Sequence, residues 1–219
     1  MTIESVSNSL PIHFDHDRIK TLLYDKEGNV SVIGKYNKVL SRFPTKASVA
    51  YNKQYGTPIS SDGQNVFIGT WEYGIFCYSL ETGHLNWKQR PGKVRNIVVS
   101  DNILFIEMAD RGIYVRDVES GQVLQEIKMT AIDKLKLLTP LELFAGPKNG
   151  KYFIFNVPTL EIKREIKIKS LNVNNCLSFI ILDVFYKNNN LFVKGWEQYS
   201  EGNYQDENQI WFEREVPFA

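Results

Sequence analysis

The sequence predicts an all-β protein in which one supersecondary unit recurs about every 38 residues. Three features recur at this spacing: an apolar triplet, a glycine and a tight turn. The triplets are Phe67-Ile68-Gly69, Phe105-Ile106-Glu107 and Phe144-Ala145-Gly146, the glycines are Gly74, Gly112 and Gly150, and the turns are Thr82-Gly83 and Ser120-Gly121. Self-similarity at a fixed period of this length is typical of one structural unit copied along the chain.

The clearest unit, residues 57–90, alternates short apolar segments with turn residues. Its turns are Ser61-Asp62-Gly63, the stretch from Gly69 to Gly74, and Glu81-Thr82-Gly83, and its last segment is Leu85-Asn86-Trp87. Turns at intervals of about 8–12 residues between β-branched and aromatic segments predict a four-stranded antiparallel meander. We expect Gly83 to adopt a positive φ, which other residues resist.

Three further units follow this one, and a weaker one precedes it. The second runs from Asn96 to Leu124, and the third, Lys136 to Lys167, has Pro158-Thr159-Leu160 in place of the Thr-Gly turn. The fourth, Phe179 to Phe212, contains an Asn-rich turn at residues 188–190 and a longer polar loop before its last segment. Residues 21–43 supply most of a further unit at the N-terminus.

Residues 77–87 resemble the tryptophan-docking repeat of quinoprotein-type (PQQ-like) β-propellers, A-x-D-x-x-T-G-x-x-x-W. Cys77 stands at its first position, Ser79 at the Asp, Thr82-Gly83 at the turn and Trp87 at the docking position. The second unit matches with Val115, Asp117, Ser120-Gly121 and Gln125, and the third retains Asn156 and Thr159. The alternative resemblance is to WD40-like propellers, although the Trp-Asp dipeptide of those repeats is missing.

The resemblance implies a small β-propeller of four-stranded antiparallel blades. Five blades are favoured and four are possible, at about 40 residues each. We predict a single domain over residues 1–219, with residues 1–17 a terminal extension. An N-terminal strand could complete the last blade and close the ring non-covalently.

Composition narrows the class of protein. The 26 Lys and Arg residues nearly balance 25 Asp and Glu, which argues against sequence-independent nucleic-acid binding. Two cysteines, Cys77 and Cys176, are too few for a disulfide framework or a thiolate zinc site. The first 20 residues lack the pattern of a secretory signal, and no apolar run is long enough to span a bilayer. We therefore expect a cytoplasmic protein, monomeric on its own.

The sequence offers no recognisable catalytic set. Quinoprotein dehydrogenases use more blades and often adjacent cysteines, so the resemblance carries over the fold and not the cofactor. We expect no cofactor and no metal. Some five-bladed propellers are glycosidases, which need two carboxylates near the central channel. The predicted innermost strands offer only Asp183, so an enzyme is the weaker hypothesis.

A partner is predicted to bind the loops between second and third strands and between blades. Exposed Trp, Tyr and Arg anchor protein interfaces, and the acidic loop from Glu197 to Asn208 would suit a basic partner. An alternative is that Trp71 and Trp196 fold back and plug the channel. The predicted partner-binding residues are Trp71, Glu72, Tyr73, Arg95, Arg111, Trp196, Glu197, Tyr199, Glu201, Tyr204, Asp206 and Glu207.

These observations favour a non-enzymatic protein-binding module. The most specific hypothesis is an immunity protein that binds and neutralises a toxin, such as a basic nuclease. A scaffold or adaptor in a larger complex is the alternative, and a carbohydrate-active propeller ranks below both. No membrane and no direct nucleic-acid partner is expected.

Overall fold

The protein is an assembly of antiparallel sheets. The structure, a computed structural model, describes residues 10–12, 19–24, 29–34, 36–44, 58–70, 73–90, 92–109, 111–129, 132, 134–148, 150–167, 171, 178–198 and 209–217. The chain divides into two compact units, Met1–Lys128 and Met129–Ala219. Among the described residues, no helix is long and apolar enough to cross a membrane.

The first unit contains three four-stranded sheets, each a meander whose neighbours in sequence pair antiparallel. Sheet 1 comprises β1 (Leu10–Ile12), β2 (Ile19–Tyr24), β3 (Asn29–Gly34) and β4 (Val39–Pro44). Sheet 2 comprises β5 (Ile59–Ser61), β6 (Asn65–Gly69), β7 (Ile75–Ser79) and β8 (Leu85–Gln89). Sheet 3 comprises β9 (Val94–Ser100), β10 (Ile103–Met108), β11 (Gly112–Asp117) and β12 (Val123–Ile127).

The second unit contains two sheets. Sheet 4 has the same four-stranded order and comprises β13 (Lys134–Thr139), β14 (Glu142–Lys148), β15 (Lys151–Asn156) and β16 (Ile162–Lys167). Sheet 5 comprises three described strands, β17 (Ser178–Lys187), β18 (Asn190–Gln198) and β19 (Gln209–Glu215). The five sheets coincide with the five repeat units read from the sequence.

The turn after each third strand has the same geometry in sheets 2, 3 and 4. Its first residue accepts a main-chain hydrogen bond four residues on, from Gly83, Gly121 and Leu160 in turn, at 2.8–2.9 Å. These three residues have φ of 70°, 68° and 58°. A side-chain oxygen of the same first residue, Ser79, Asp117 or Asn156, accepts the N–H three residues on. The predicted equivalence of the Thr-Gly and Ser-Gly turns is therefore confirmed.

A second repeated contact lies within each of sheets 2 to 5. The residue that follows the third strand donates its N–H to the turn between the first two strands or to the second strand's start. The four bonds are Leu80 to Gln64 O, Val118 to Asn102 O, Val157 to Leu141 O and Val216 to Leu191 O, at 2.8–3.0 Å. All four donors are buried. The last bond identifies β19 as the third strand of its sheet.

Neighbouring sheets within each unit bury apolar faces against each other. Val32, Phe76 and Tyr78 belong to the core between sheets 1 and 2, while Phe67, Val94 and Leu104 belong to the core between sheets 2 and 3. In the second unit one core joins sheets 4 and 5. Burial of each large side chain contributes about 1.5–3 kcal/mol, so these inter-sheet faces dominate stability.

The outer strand of sheet 2 is fastened to sheet 3 by Trp87. Its indole Nε1 donates to the Val118 carbonyl at 2.9 Å. A Cβ placed on Gly121 would lie 2.9 Å from the indole ring, so only glycine fits beneath it. Trp87 therefore occupies the docking position that the repeat motif predicted.

The N-terminal segment differs from the prediction. Leu10–Ile12 form β1, which pairs with β2 at Leu10–Tyr24 to Ile12–Leu22. These residues are therefore part of sheet 1 and not of a terminal extension, and β1 does not complete the last blade. The rest of residues 1–17 lies outside the described residues. The weak alternation of this segment did not reveal its pairing with β2.

Candidate functional site

In the first unit, the predicted partner-binding residues include two on exposed turns. Tyr73 is 45% exposed and lies between β6 and β7, while Arg111 is exposed between β10 and β11. Buried Thr70 holds the first turn, because its Oγ1 accepts the Tyr73 N–H at 2.9 Å and donates to the Gly74 carbonyl at 3.0 Å. Arg95 lies in β9 and is half-buried. Trp71 and Glu72 lie outside the described residues.

In the second unit, the structure corrects the predicted loop that begins near Trp196. Trp196 and Glu197 lie in β18, which continues to Gln198. Glu197 is 1% exposed, and its Oε1 accepts a charged hydrogen bond from Arg214 Nη1. Because this carboxylate is buried and paired inside the sheet, it does not present charge to a partner. The remaining loop residues of the prediction, Tyr199, Glu201, Tyr204, Asp206 and Glu207, lie outside the described residues.

Sheet 5 exposes a row of apolar side chains that the sequence reading did not select. In the register of the three strands, Ile180 lies opposite Trp196, and Trp196 lies opposite Trp211. Ile180 is 36% exposed, Trp196 is half-buried and Trp211 is 62% exposed. Leu182 and Ile210 add further exposed apolar surface, at 41% and 57%. We call Ile180, Trp196 and Trp211 the aromatic row.

The other side of sheet 5 explains why the aromatic row faces outward. Ile181, Val193 and Phe212 lie in the core shared with sheet 4. Successive side chains of a strand point to opposite faces, so burial of these residues places Ile180, Trp196 and Trp211 on the opposite face. Gly195 permits this packing, because a Cβ there would lie 1.9 Å from the Ile180 carbonyl oxygen.

The outer edge of β19 has no pairing strand within residues 209–217 or the other described ranges. The third strands of sheets 2, 3 and 4 each pair with an outer fourth strand. Glu213 and Glu215 are exposed on β19, on the same face as Trp211. Glu213 approaches Lys187 at 3.2 Å, a contact between exposed side chains that contributes little stability.

Charged groups also converge between sheets 4 and 5. Buried Glu142 accepts hydrogen bonds from Lys163 Nζ and, at 2.9 Å, from Tyr186 Oη. Burial, together with the bond to the Glu142 carboxylate, raises the pKa of Tyr186 to about 12. Lys136 Nζ donates to Asp183 at 2.6 Å. Burial acts to raise the pKa of Asp183, but the bonds from Lys136 and the Val184 N–H hold it below its ordinary value.

A groove of about 750 Å³ lies in the first unit between sheets 1 and 2. Leu40, Ser41, Asn65, Asn86 and Glu81 are among its lining residues, and Asn86 Nδ2 donates to Asn65 Oδ1 at 2.8 Å. Glu81 is the charged member of this described lining. An isolated exposed carboxylate beside neutral amides does not assemble a nucleophile with a base.

Cys77 is a buried free thiol, as the sequence indicated. Burial raises its pKa to about 12, so the nucleophilic thiolate is scarce at neutral pH. Over the described parts of the chain, no three His, Cys, Asp or Glu side chains converge as metal ligands would.

The fold defines the class of protein: a small β-propeller, all-β, with four-stranded antiparallel blades. No family model matches the sequence, and no curated protein matches it. Solved structures similar to this chain are also β-propellers. One is BamB from Moraxella catarrhalis, with a TM-score of 0.63 at 14% identity over 88% of this chain.

Two computationally designed proteins are similar as well. Ika8 matches with a TM-score of 0.60 at 18% identity over 83% of this chain, and Ika4 with 0.50 at 17% identity over 65%. The chain spans 54% of Ika8 and 60% of BamB, but 87% of Ika4. At these identities the likeness shows the fold alone.

Proposed function

We propose that this protein is a non-enzymatic protein-binding module and that the aromatic row of sheet 5 is its contact surface. The observation that carries the proposal is the exposure of Trp211, 62%, beside Trp196 and Ile180 on one face of a sheet. Two indoles and an aliphatic side chain in a row expose apolar surface to water, and a partner that buries this surface would gain free energy. Tryptophan is also enriched among the residues that dominate binding energy at protein interfaces.

The predicted residues Tyr73 and Arg111 form a second, separate part of this proposal. Both lie exposed on turns that join the second and third strands of their sheets. Tyrosine and arginine combine apolar area with hydrogen-bond donors, which suits them to the centre of an interface. These turns are the next surface to test if the aromatic row does not bind.

The more specific proposal is an immunity protein that binds and neutralises a basic toxin, for example a nuclease. It is supported by Glu213 and Glu215, which are exposed on β19 on the face of the aromatic row, and by three more acidic residues that precede β19 in the sequence. Such a surface would attract a basic partner and speed its association. A scaffold or adaptor role would use the same surface, with a partner of a different kind.

The state of Asp183 supports a non-enzymatic reading over a glycosidase. This residue was the carboxylate that the predicted inner strands offered. A glycosidase general acid must hold its proton near neutral pH, which requires a raised pKa. Because the bonds from Lys136 and Val184 hold the pKa of Asp183 below its ordinary value, it would stay ionised.

The test compares partner capture by three proteins: wild type, the double variant Trp196→Ala, Trp211→Ala, and a control, Val123→Ala, Leu124→Ala. The control removes exposed apolar side chains from outer strand β12, where Val123 and Leu124 are 48% and 58% exposed. Affinity purification with quantitative mass spectrometry should identify a partner that is lost with the aromatic variant and kept with the control.

The dissociation constant of that purified partner should rise at least about 30-fold for the aromatic variant, because interface tryptophans typically cost about 2 kcal/mol or more on truncation. Circular dichroism must show that the variant keeps its β-sheet spectrum. Equal capture by all three proteins would refute the aromatic row as the contact surface.

A further inference from the structure

β19 has the main-chain environment of a third strand whose fourth strand is not among the described residues. The Val216 N–H bonds to the Leu191 carbonyl at 2.8 Å, as Leu80, Val118 and Val157 do in sheets 2, 3 and 4. In those sheets a fourth strand begins five residues after the bonded residue, at Leu85, Val123 and Ile162. Within residues 209–217 and the other described ranges, no strand takes that place beside β19.

A third strand that has no neighbour on its outer side among the described residues offers an edge for binding. Along its outer side β19 presents main-chain N–H and C=O groups at the spacing that an added antiparallel strand requires. The neighbouring sheet shows what such a strand supplies. In sheet 4 the outer strand β16 pairs with β15 along six residues and buries Ile166 to 3% exposure in the core shared with sheet 5.

We propose that the outer edge of β19 binds an extended strand of a basic protein partner by antiparallel strand addition. This inference rests on the proposed function and specifies how the partner binds. The side chains on the exposed face of β19 select the occupant: Trp211, Glu213 and Glu215 alternate along the edge. An incoming strand would place an apolar residue beside Trp211 and Lys or Arg beside the two carboxylates.

Sheet 5 already uses this pattern between its own strands. In the register of β18 and β19, Lys194 lies opposite Glu213 and Trp196 lies opposite Trp211. Cross-strand pairs of opposite charge and of aromatic side chains each contribute about 0.2–1 kcal/mol. The same pairs on the other side of β19 would favour a basic strand and disfavour an acidic one, since like charges opposite each other are destabilising.

The probe is a fluorescein-labelled heptapeptide, Thr-Lys-Thr-Lys-Thr-Val-Thr, which in antiparallel register places its two Lys beside Glu215 and Glu213 and its Val beside Trp211; it is titrated with the full chain and followed by anisotropy. We expect saturable binding below 1 mM and at least about ten-fold weaker binding of the peptide with Glu in place of Lys. Glu213→Gln with Glu215→Gln should weaken binding of the Lys peptide about five-fold at low salt, and less at 0.5 M salt. No binding of the Lys peptide at 1 mM would overturn the proposal.

Backbone methylation separates strand addition from side-chain attraction. Two versions of the Lys peptide carry N-methyl groups on alternate residues, one on the odd and one on the even positions. Because alternate N–H groups of a strand point to opposite edges, methylation of the set that faces β19 should weaken binding at least ten-fold, and methylation of the other set should change it little. Equal binding of both methylated peptides and the parent would refute strand addition.

The two proposals fail in different experiments. If partner capture depends on Trp211 while both methylated peptides bind like the parent, the aromatic row binds a partner without strand addition. If capture is independent of Trp211, the proposed function fails on that surface, whatever the peptides do. Sedimentation of the chain alone supplies the last check: a dimer that the Lys peptide dissociates would make a second copy the occupant and overturn the basic-partner assignment.

Discussion

Removing the Trp87 side chain should destabilise the first unit more than any exposed aromatic would. The indole donates to the Val118 carbonyl at 2.9 Å, and its ring lies 6.0 Å from the Phe67 ring, centroid to centroid. Trp87 is half-buried. Loss of its buried apolar area costs about 2 kcal/mol and loss of the hydrogen bond about 1 kcal/mol, so Trp87→Ala should cost about 3 kcal/mol.

Two further variants of this chain separate the contribution of the hydrogen bond from that of the contact between the indole and Gly121. Trp87→Phe keeps most of the ring and removes the donor, so we expect about 1 kcal/mol. Gly121→Ala adds a Cβ 2.9 Å from the indole and at φ +68°, which should cost about 1 kcal/mol for the backbone and a further 1–2 kcal/mol for the clash. In the Trp87→Ala background the clash disappears, so Gly121→Ala should then cost only about 1 kcal/mol.

The assay is urea unfolding followed by circular dichroism for wild type, the three single variants and the double variant Trp87→Ala, Gly121→Ala. The double variant should be about 1–2 kcal/mol more stable than the sum of the single effects predicts. Strictly additive effects would mean that the indole does not lie on Gly121. A Trp87→Ala cost below 1 kcal/mol would refute the conclusion that this side chain fastens sheet 2 to sheet 3.

Two further predictions concern the charged groups of the second unit. Glu142→Gln should lower the pKa of Tyr186 from about 12 towards 10, which absorbance at 295 nm across a pH titration would show; an unshifted titration would contradict the contact. In the wild type, the stability that depends on neutral Tyr186 is complete below pH 10 and is lost as the pH rises towards 12. Arg214→Met should cost about 3 kcal/mol, since it removes the charged bond to the buried Glu197 carboxylate, whereas the control Glu213→Gln, in an exposed pair, should cost below about 1 kcal/mol; equal urea midpoints would contradict this.

Much of the fold could be predicted because the repeat is visible in the residue types that its tight turns require. These tight turns have a positive φ at one residue and a side-chain acceptor four residues earlier, and both requirements restrict residue type. Gly83 meets the first requirement in sheet 2, and Asp117 meets the second in sheet 3; both residue types are recognisable in the sequence. In the third unit Leu160 adopts φ 58° without being glycine, and Asn156 supplies the acceptor. The 38-residue period can therefore still be recognised in the third unit, although most residues of the docking motif differ there.

The site was harder to predict because burial on sheet 5 depends on contacts distant in sequence. Glu197 looked like the start of an acidic loop, yet Arg214, seventeen residues later, neutralises it inside the sheet. Ile210 to Phe212 looked like an ordinary closing strand, and alternation alone cannot reveal that the face with Trp211 is the uncovered one. Sheet 5 has three described strands where each other sheet has four, and this difference marks β19 as the strand whose surroundings matter.

The contact between successive sheets explains how the repeat motif could lose its tryptophan without losing its geometry. In sheets 1, 2 and 4 an outer-strand side chain donates to the carbonyl of the residue that follows the neighbouring sheet's third strand. The donor is Ser41 to Leu80 O at 2.9 Å, Trp87 to Val118 O at 2.9 Å, and Arg164 to Val216 O at 3.3 Å with Pro217 O at 2.7 Å. What is retained is a donor at a fixed place, because a buried carbonyl without a partner costs about 1–3 kcal/mol. A hydroxyl, an indole and a guanidinium meet that requirement, so the docking position tolerates residue changes that hide the repeat from a search by sequence.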